Sequence, residues 1–362
     1  MSTNITVKYN ESPVYDIVLE LDYNTIYREL NKLNTKNKKI CIVTDSNISK
    51  LYLNEVMEIV KDYAREVETF TFPAGEESKN LDTVYLLYER LIRSGFDRKD
   101  LLIALGGGVV GDLTGYGAAT YLRGINFIQM PTSLLAMVDS SIGGKTGVDF
   151  LKFKNMVGAF HQPKSVYMNL KTLLSLNDEQ YFSGFGEIIK HGLIKDADYY
   201  QWLKDNSKAI ERRDLAVLNE VIYRSCLIKR EVVEKDPKEL GERALLNYGH
   251  TIGHAVEKLM EFKLLHGECV AIGMVAASYL SYKRNNITQN QLQDIVEVIK
   301  SFRLPVSVSG IAAEDVLKAT LNDKKMESGK IKFILLSEVG NACIDTTVTE
   351  AEMLEAIDFI IK

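Results

Sequence analysis

Two hydrophobic rhythms divide this chain. KKICIVTD (38–45) is a short apolar run rich in β-branched residues, as a buried strand requires, and LLIALGGG (101–108) and INFIQMP (125–131) repeat it. LLIALGGG runs into glycines, and INFIQMP stops at Pro131. Between the first two, SKNLDTVYLLYERLIRSG (78–95) spaces its apolar residues for a helix and closes on Gly95. Strand–helix alternation of this kind predicts a parallel sheet with helices on its faces. After about residue 175 the texture changes to long helical patterns at 177–193, 213–235, 248–262, 266–284 and 289–302. A late hairpin is expected where KFILLSE meets ACIDTTV around Gly340 and Asn341. The pattern therefore predicts an α/β, Rossmann-like domain over 1–175 and a mainly α-helical domain over 176–362, with a ligand in the cleft between them.

Composition narrows the function. With 362 residues, 46% of them hydrophobic, the chain can bury two cores. A net charge of -5 removes any general basic field for nucleic acid or anionic lipid, so an anionic substrate needs a local cluster of Lys and Arg. The four cysteines, Cys41, Cys226, Cys269 and Cys343, show no CxxC spacing and read as reduced, mostly buried thiols of a cytoplasmic protein. The N-terminal MSTNITVKYNESPVYD is polar without an apolar core, and no apolar run reaches the ~20 residues of a membrane span. A soluble protein without an export address is expected.

The glycine loop supplies the first chemistry. Gly106-x-Gly108-x-x-Gly111 follows a strand and opens a helix, where the backbone can approach a pyrophosphate and the helix N-terminus offers N–H donors. The loop departs from the ordinary dinucleotide fingerprint in lying beyond residue 100 and in having no acid about twenty positions on. Asp45, at the end of an earlier strand, is a candidate for the ribose; otherwise it caps the next helix. DSSIGGKTG (139–147) imitates a P-loop at Gly144-Lys145-Thr146, but Asp139 stands in place of its first glycine, which excludes an NTPase.

The second set of motifs carries the histidines. GFGEIIKHGLI (184–194) places Glu187, Lys190 and His191 at i, i+3, i+4 on one helix face. LLNYGHTIGHAVE (245–257) does the same for His250 and His254, about 40° apart around the axis. His266 heads the next helix in HGECVAIG. Glu187, His250 and His266 form a candidate open site for Zn²⁺ or a similar ion. Thr251 stands where a metalloprotease HExxH needs Glu, so that chemistry is excluded. Arg123, Lys145, Lys154, Lys190, Lys229 and Arg243 lie in or beside these motifs and could grip a phosphate. Together the three features imply redox chemistry at an alcohol of a phosphorylated polyol.

At this level of detail the chain resembles the 3-dehydroquinate synthase family over roughly residues 40 to 350. PAGEESK (73–79), GGGVVGD (106–112), PTSLLAMVDSSIGGKTGV (131–148), KNMVGAF (154–160), GEIIKHG (186–192), LNYGHTIGHAVE and HGECVAIG carry the resemblance. It implies a fold shared with metal-dependent glycerol dehydrogenases, and a homodimer. Asp45, Glu76 and Lys79 would hold the adenosine end of NAD. Gly107, Gly108 and Asp112 would hold its pyrophosphate and ribose, with Thr132, Ser133 and Asp139 toward the nicotinamide and Lys145 and Lys154 also on the cofactor side. Glu187, His250 and His266 would bind Zn²⁺ or Co²⁺. Arg123, Lys145, Asn155, Lys190, Lys229, Arg243, Asn247, His254 and one of Lys324 and Lys325 would grip the sugar phosphate substrate. Lys145, Lys190, Glu239 and His254 are implied as catalytic.

One loop departs from the family pattern: GVDFLKFKN has Asp149 and Phe153 where Asn and Gly are more common, although Lys154-Asn155 is intact. A metal- and NAD-dependent polyol dehydrogenase would share the loop and the metal but release NADH, and would not need the lysine-rich cluster. A sister sugar phosphate cyclase is disfavoured by Lys190-His191 and His254. A non-catalytic sugar-phosphate sensor would leave the metal triad without a purpose.

Overall fold

The structure, a computed structural model, describes residues 3–151, 153–261, 263–324 and 331–362. Between Leu176 and Asn177 the chain divides into two compact units.

The first unit contains β1 (Thr3–Tyr9), β2 (Ser12–Glu20), α1 (Tyr27–Lys32), β3 (Lys39–Asp45), α2 (Asn54–Val60) and β4 (Glu66–Phe72). These are followed by α3 (Leu81–Arg93), β5 (Leu101–Gly106), α4 (Gly108–Thr120), β6 (Asn126–Pro131), β7 (Lys145–Phe150), β8 (Phe153–Phe160) and β9 (Ser165–Asn169). Seven strands form one sheet in the order β1-β2-β9-β6-β5-β3-β4, and β7 and β8 form a separate antiparallel hairpin. Every pairing from β2 to β4 is parallel; only β1 runs against its neighbour.

Parallel strands covered on both faces must be apolar throughout, which is why Ile40 to Val43 and Leu101 to Leu105 are all buried. Alternate residues serve opposite layers. Cys41, Val43, Leu102 and Ala104 pack with Val84, Leu87 and Leu91 of α3 and Leu113 of α4. Ile40, Ile42, Ile103 and Leu105 pack with Leu30 of α1 and Val56 and Val60 of α2. Each such Ile or Leu contributes roughly 2 kcal/mol by leaving water. The chain passes from β3 outward to β4 and then back across to β5. The sheet therefore reverses direction between β3 and β5, where the carboxyl ends of parallel strands open a crevice.

The second unit is mainly helical: α5 (Asp178–Lys195), α6 (Ala197–Asp205), α7 (Ser207–Glu211), α8 (Leu215–Lys235), α9 (His250–Leu259), α10 (His266–Lys283), α11 (Gln289–Ser301), α12 (Ala313–Lys324) and α13 (Glu350–Ile360). The expected hairpin is present as β10 (Phe333–Glu338) and β11 (Asn341–Asp345). Side-chain caps start several helices: Asp214 accepts from Ala216 and Val217 N–H for α8, and Thr288 and Thr349 form capping boxes with Gln291 and Glu352. Helix α10 is apolar all round and central, packing against α5, α9, α11, α13 and β10. An α/β unit with a parallel sheet followed by a mainly helical one is the architecture the two rhythms predict.

Candidate active site

In the first unit, sequence-distant motifs meet at the carboxyl edge of the sheet. Asp45 ends β3, PAGEESK follows β4, the glycine loop follows β5, and Thr132 and Ser133 follow β6. The loop glycines provide room rather than unusual dihedrals, for none of Gly106, Gly107, Gly108 and Gly111 has positive φ. A Cβ on Gly111 would lie 2.7 Å from Gln129 Oε1 of β6, so glycine lets α4 pack against that strand. Gly107 precedes the first turn of α4 in extended conformation, and Thr132 N–H donates to Gly106 O at 3.0 Å, tying the two strand ends together. Asp45 Oδ1 accepts from Asn47 N–H (2.8 Å) and Ile48 N–H (3.0 Å), so the carboxylate also closes the turn after β3.

Lys79 anchors a charged cluster beside this edge. Its buried Nζ donates to Asp112 Oδ2 at 2.7 Å and to Asn155 Oδ1 at 2.5 Å. Burial is the largest influence on Lys79 and works against its charge, but Asp112 and Glu76 outweigh it and hold the pKa above the ordinary lysine value. Lys154 Nζ stands 3.9 Å from Glu76 Oε1. The family departure at residue 149 has a structural role, because Asp149 Oδ1 accepts the Asn155 N–H at 2.8 Å, where Asn155 is left-handed (φ 55°). The Asp149 carboxylate thus holds the Lys154-Asn155 turn in shape, and Phe153 pairs with Phe150 at the tip of the hairpin.

Two predicted residues are not gathered here. Lys145 opens β7 opposite Phe160, at the end of the hairpin remote from Asn155. Gly144-Lys145-Thr146 thus leads into a strand, not the helix a P-loop requires. Arg123 is exposed and left-handed (φ 68°) at the corner before β6, on the amino edge of the sheet. Asp139 lies in a short π-helical turn, Ala136–Ser140.

In the second unit three helices converge. Gly186 of α5 meets Gly267 of α10 backbone to backbone: a Cβ on Gly186 would stand 2.3 Å from Gly267 O. Gly253 of α9 and Gly273 of α10 do the same, a Cβ on Gly273 falling 1.8 Å from Gly249 O. Gly249 adopts φ 81°, which starts α9 abruptly and turns His250 inward. These contacts bring Glu187, His250 and His266, each beside one of those glycines, onto one point.

Glu187 Oε1 lies 3.6 Å from His250 Nε2 and 3.7 Å from His266 Nε2. The oxygen is buried and has no hydrogen-bond partner, while Oε2 pairs with the buried Lys190. One ligand atom from each of the three residues lies within 4.8 Å of the others. Zinc bonds near 2.0 Å separate tetrahedral ligands by about 3.3 Å, so this spacing fits a divalent ion. An orphaned carboxylate oxygen facing two imidazoles is the donor set such a cation satisfies.

The protonation pattern is that of the metal-free site, from which a bound cation would displace the His266 proton. Desolvation, then the Lys190 charge, hold the His250 pKa well below the ordinary histidine value. Its Nδ1 sits 3.2 Å from Tyr248 O; a carbonyl only accepts, so the proton is on Nδ1 and the Nε2 lone pair faces Glu187. Desolvation also opposes a proton on His266, but Glu187 and Glu257 outweigh it and push that pKa up to about 9. Burial would raise Glu187, yet Lys190 and both histidines keep its carboxyl well below the usual range.

His254 borders this point, and the remaining candidates of this unit lie on neighbouring elements. His254 is exposed on α9, its ring centroid 5.1 Å from that of His250. Lys229 of α8 and Arg243 are buried, and Arg243 Nη1 donates to Pro237 O at 2.8 Å. Asn247 Nδ2 donates to Glu239 Oε1 at 3.0 Å, fixing a carboxylate whose residue is left-handed (φ 59°). Arg243 and Asn247 lie on a 3-10 turn, Glu242–Asn247, rather than on the helix of His250. Lys325 falls outside the described residues, and for Lys324 only the backbone, at the end of α12, is described. Sequence reading missed Glu257, buried with Oε2 3.8 Å from His266 Nδ1. Its position three after His254 and seven after His250 was the available signal.

Comparison with known proteins follows the same line. Residues 69–183 match the family described as 3-dehydroquinate synthase N-terminal, and residues 184–326 match that described as 3-dehydroquinate synthase C-terminal. A 3-dehydroquinate synthase of Acetivibrio thermocellus is 41% identical over 354 residues, covering 98% of this chain and 97% of the relative. One from Nitrosomonas europaea is 45% identical over 321 residues, covering 88% and 87%. The solved structure of 2-epi-5-epi-valiolone synthase from Streptomyces hygroscopicus subsp. jinggangensis 5008, with NAD⁺ and Zn²⁺ bound, superposes with a TM-score of 0.89 at 26% identity, covering 98% of this chain and 99% of that one. Shared ancestry along nearly the whole length, on top of the site geometry, places this chain in the 3-dehydroquinate synthase family.

Proposed function

We propose that this chain converts 3-deoxy-D-arabino-heptulosonate 7-phosphate to 3-dehydroquinate and phosphate, a phosphorus–oxygen lyase reaction of the shikimate pathway. Its cofactors in this reading are NAD and Zn²⁺ or Co²⁺. The observation that carries it is the convergence of His250 and His266 on the orphaned Glu187 Oε1. When bound, NAD⁺ would supply a reversible hydride acceptor for C5, and the cation would supply Lewis acidity toward the C5 hydroxyl and the neighbouring C6–H.

The chain's own residues do the rest. Glu187, His250 and His266 hold the cation. Asp45, Glu76 and Lys79 hold the adenosine end of NAD, and Gly107, Gly108 and Asp112 its pyrophosphate and ribose. Thr132, Ser133 and Asp139 line the nicotinamide side, and Lys154 sits on the cofactor side. Asn155, Lys190, Lys229, Arg243, Asn247 and His254, with Lys324 or Lys325, grip the substrate. Lys190, Lys229 and Arg243 supply buried positive charge for its carboxylate and phosphate, and the Pro237 carbonyl fixes the fork of Arg243. Glu239, held by Asn247, is placed for proton transfer.

The test supplies the heptulosonate phosphate, Zn²⁺ and catalytic NAD⁺, and follows free phosphate and the NADH band. Phosphate without lasting NADH is expected. Stoichiometric NADH would indicate a dehydrogenase instead, and neither signal would leave only a sensor. A homodimer in the cytoplasm belongs to the same reading. Sedimentation should give twice the mass of one chain, and localisation of a tagged copy should show it in the cytoplasm.

A further inference from the structure

Both metal-facing imidazoles have their Nε2 toward Glu187 and their Nδ1 toward a group behind the ring. For His250 that group is the Tyr248 carbonyl, 3.2 Å away. For His266 it is Glu257, whose Oε2 lies 3.8 Å from Nδ1 while Nε2 lies 3.7 Å from Glu187 Oε1. Glu257 is only 4% exposed, and a carboxylate is costly to bury unless the charge is used. It sits two turns after His250 on α9, so the helix that supplies one ligand also reaches the back of the next.

We propose that Glu257 is a positioning residue for the cation: its carboxylate accepts the Nδ1–H of His266, orients Nε2 toward Glu187 and strengthens that nitrogen as a donor. The two imidazoles are then unequal ligands, one backed by a neutral carbonyl and the other by a full negative charge. This inference rests on the metal-centre reading above, and the experiment separates the two.

Purified full-length protein is stripped of metal and titrated with Zn²⁺ against a chromophoric chelator, then loaded with Co²⁺ for its visible spectrum. Glu257→Ala is expected to weaken Zn²⁺ binding about 10- to 100-fold, and Glu257→Gln, which keeps an acceptor oxygen but no charge, by several-fold. Both should shift the Co²⁺ bands, while NAD⁺ affinity stays near the parent value. Should Glu257→Ala fail to fold, Glu257→Gln carries the test. Parent-like Zn²⁺ affinity and an unshifted Co²⁺ spectrum in Glu257→Gln overturn the assignment, leaving Glu257 a packing residue. A parent protein that takes up no cation overturns this proposal and the metal centre together.

Discussion

The cluster at the carboxyl edge of the sheet and the centre on α5, α9 and α10 are both partly buried polar assemblies, completed in opposite ways. Around Lys79 the charges pair within the protein: the ammonium meets Asp112 and Asn155, and Asp149 holds the Asn155 turn. At Glu187 the protein supplies donor atoms that leave one carboxylate oxygen unsatisfied. The first assembly holds its shape by internal ion pairing; the second presents donor atoms at the spacing a divalent ion would satisfy. An unsatisfied buried atom does not mark a site by itself, since the Tyr23 hydroxyl shares that property; the informative feature is one beside two imidazole nitrogens.

The sharpest way to break this comparison is His250→Ala. Turnover should fall by about a thousandfold or more, the several kcal/mol of charge stabilisation a catalytic metal supplies, and bound zinc should drop toward zero. Full activity in that variant would mean the ligand assignment is wrong. Lys79→Met should leave bound zinc unchanged but weaken NAD⁺ binding and cost about 3 kcal/mol of stability, because Asp112 loses the cation that pairs it. Urea unfolding of the metal-free protein measures it. Next, Zn²⁺ at a hundredfold its dissociation constant should stabilise the parent by about 2.7 kcal/mol. The gain should survive in Lys79→Met and vanish in His250→Ala; a gain lost in both would show that the two assemblies are not independent.

Gly111→Ala is expected to cost no more than about 1 kcal/mol, since its Cβ would meet the flexible end of Gln129, Oε1 at 2.7 Å, which must shift. Thermal unfolding would register it without any change in zinc affinity. The smallest effect concerns acid. Burial would raise the Asp236 pKa, but the N–H groups of Leu240, Gly241 and Arg243 outweigh it and hold it below the usual carboxylate value. A depressed pKa contributes stability above the unfolded value, about 3.9, and loses it as pH falls through the folded one. The urea midpoint should therefore decline below about pH 4, and Asp236→Asn should flatten that decline.

Legibility in the sequence followed the range of the interaction. Helices and strands with strong local periodicity were found to within a few residues: α10 was expected at 266–284 and spans His266–Lys283. The β1–β2 hairpin was missed although Ile5, Val7, Tyr15, Ile17 and Leu19 face the core in alternation, because Pro13 interrupts the pattern and the ladder bulges between Val7 and Lys8. The hairpin of β7 and β8 was missed as well; its strands leave Phe150, Phe153, Met156 and Phe160 exposed, so its apolar residues give no clean alternation. Helix α9 was drawn two residues too early, since Gly249 delays its start with a left-handed turn.

By itself the sequence determined the central strands and the longer helices, that a glycine loop stands between a strand and a helix, and that Glu187, His250 and His266 belong to motifs of one family. These are properties of spacing within a few turns, and periodicity carries them. Only the tertiary structure decided that Gly186 and Gly267 let two helices touch, that both Nε2 atoms aim at one carboxylate oxygen, and that Glu257 stands behind His266. Those depend on the approach of helices distant along the chain, where backbone contacts, not local propensity, set which atoms meet.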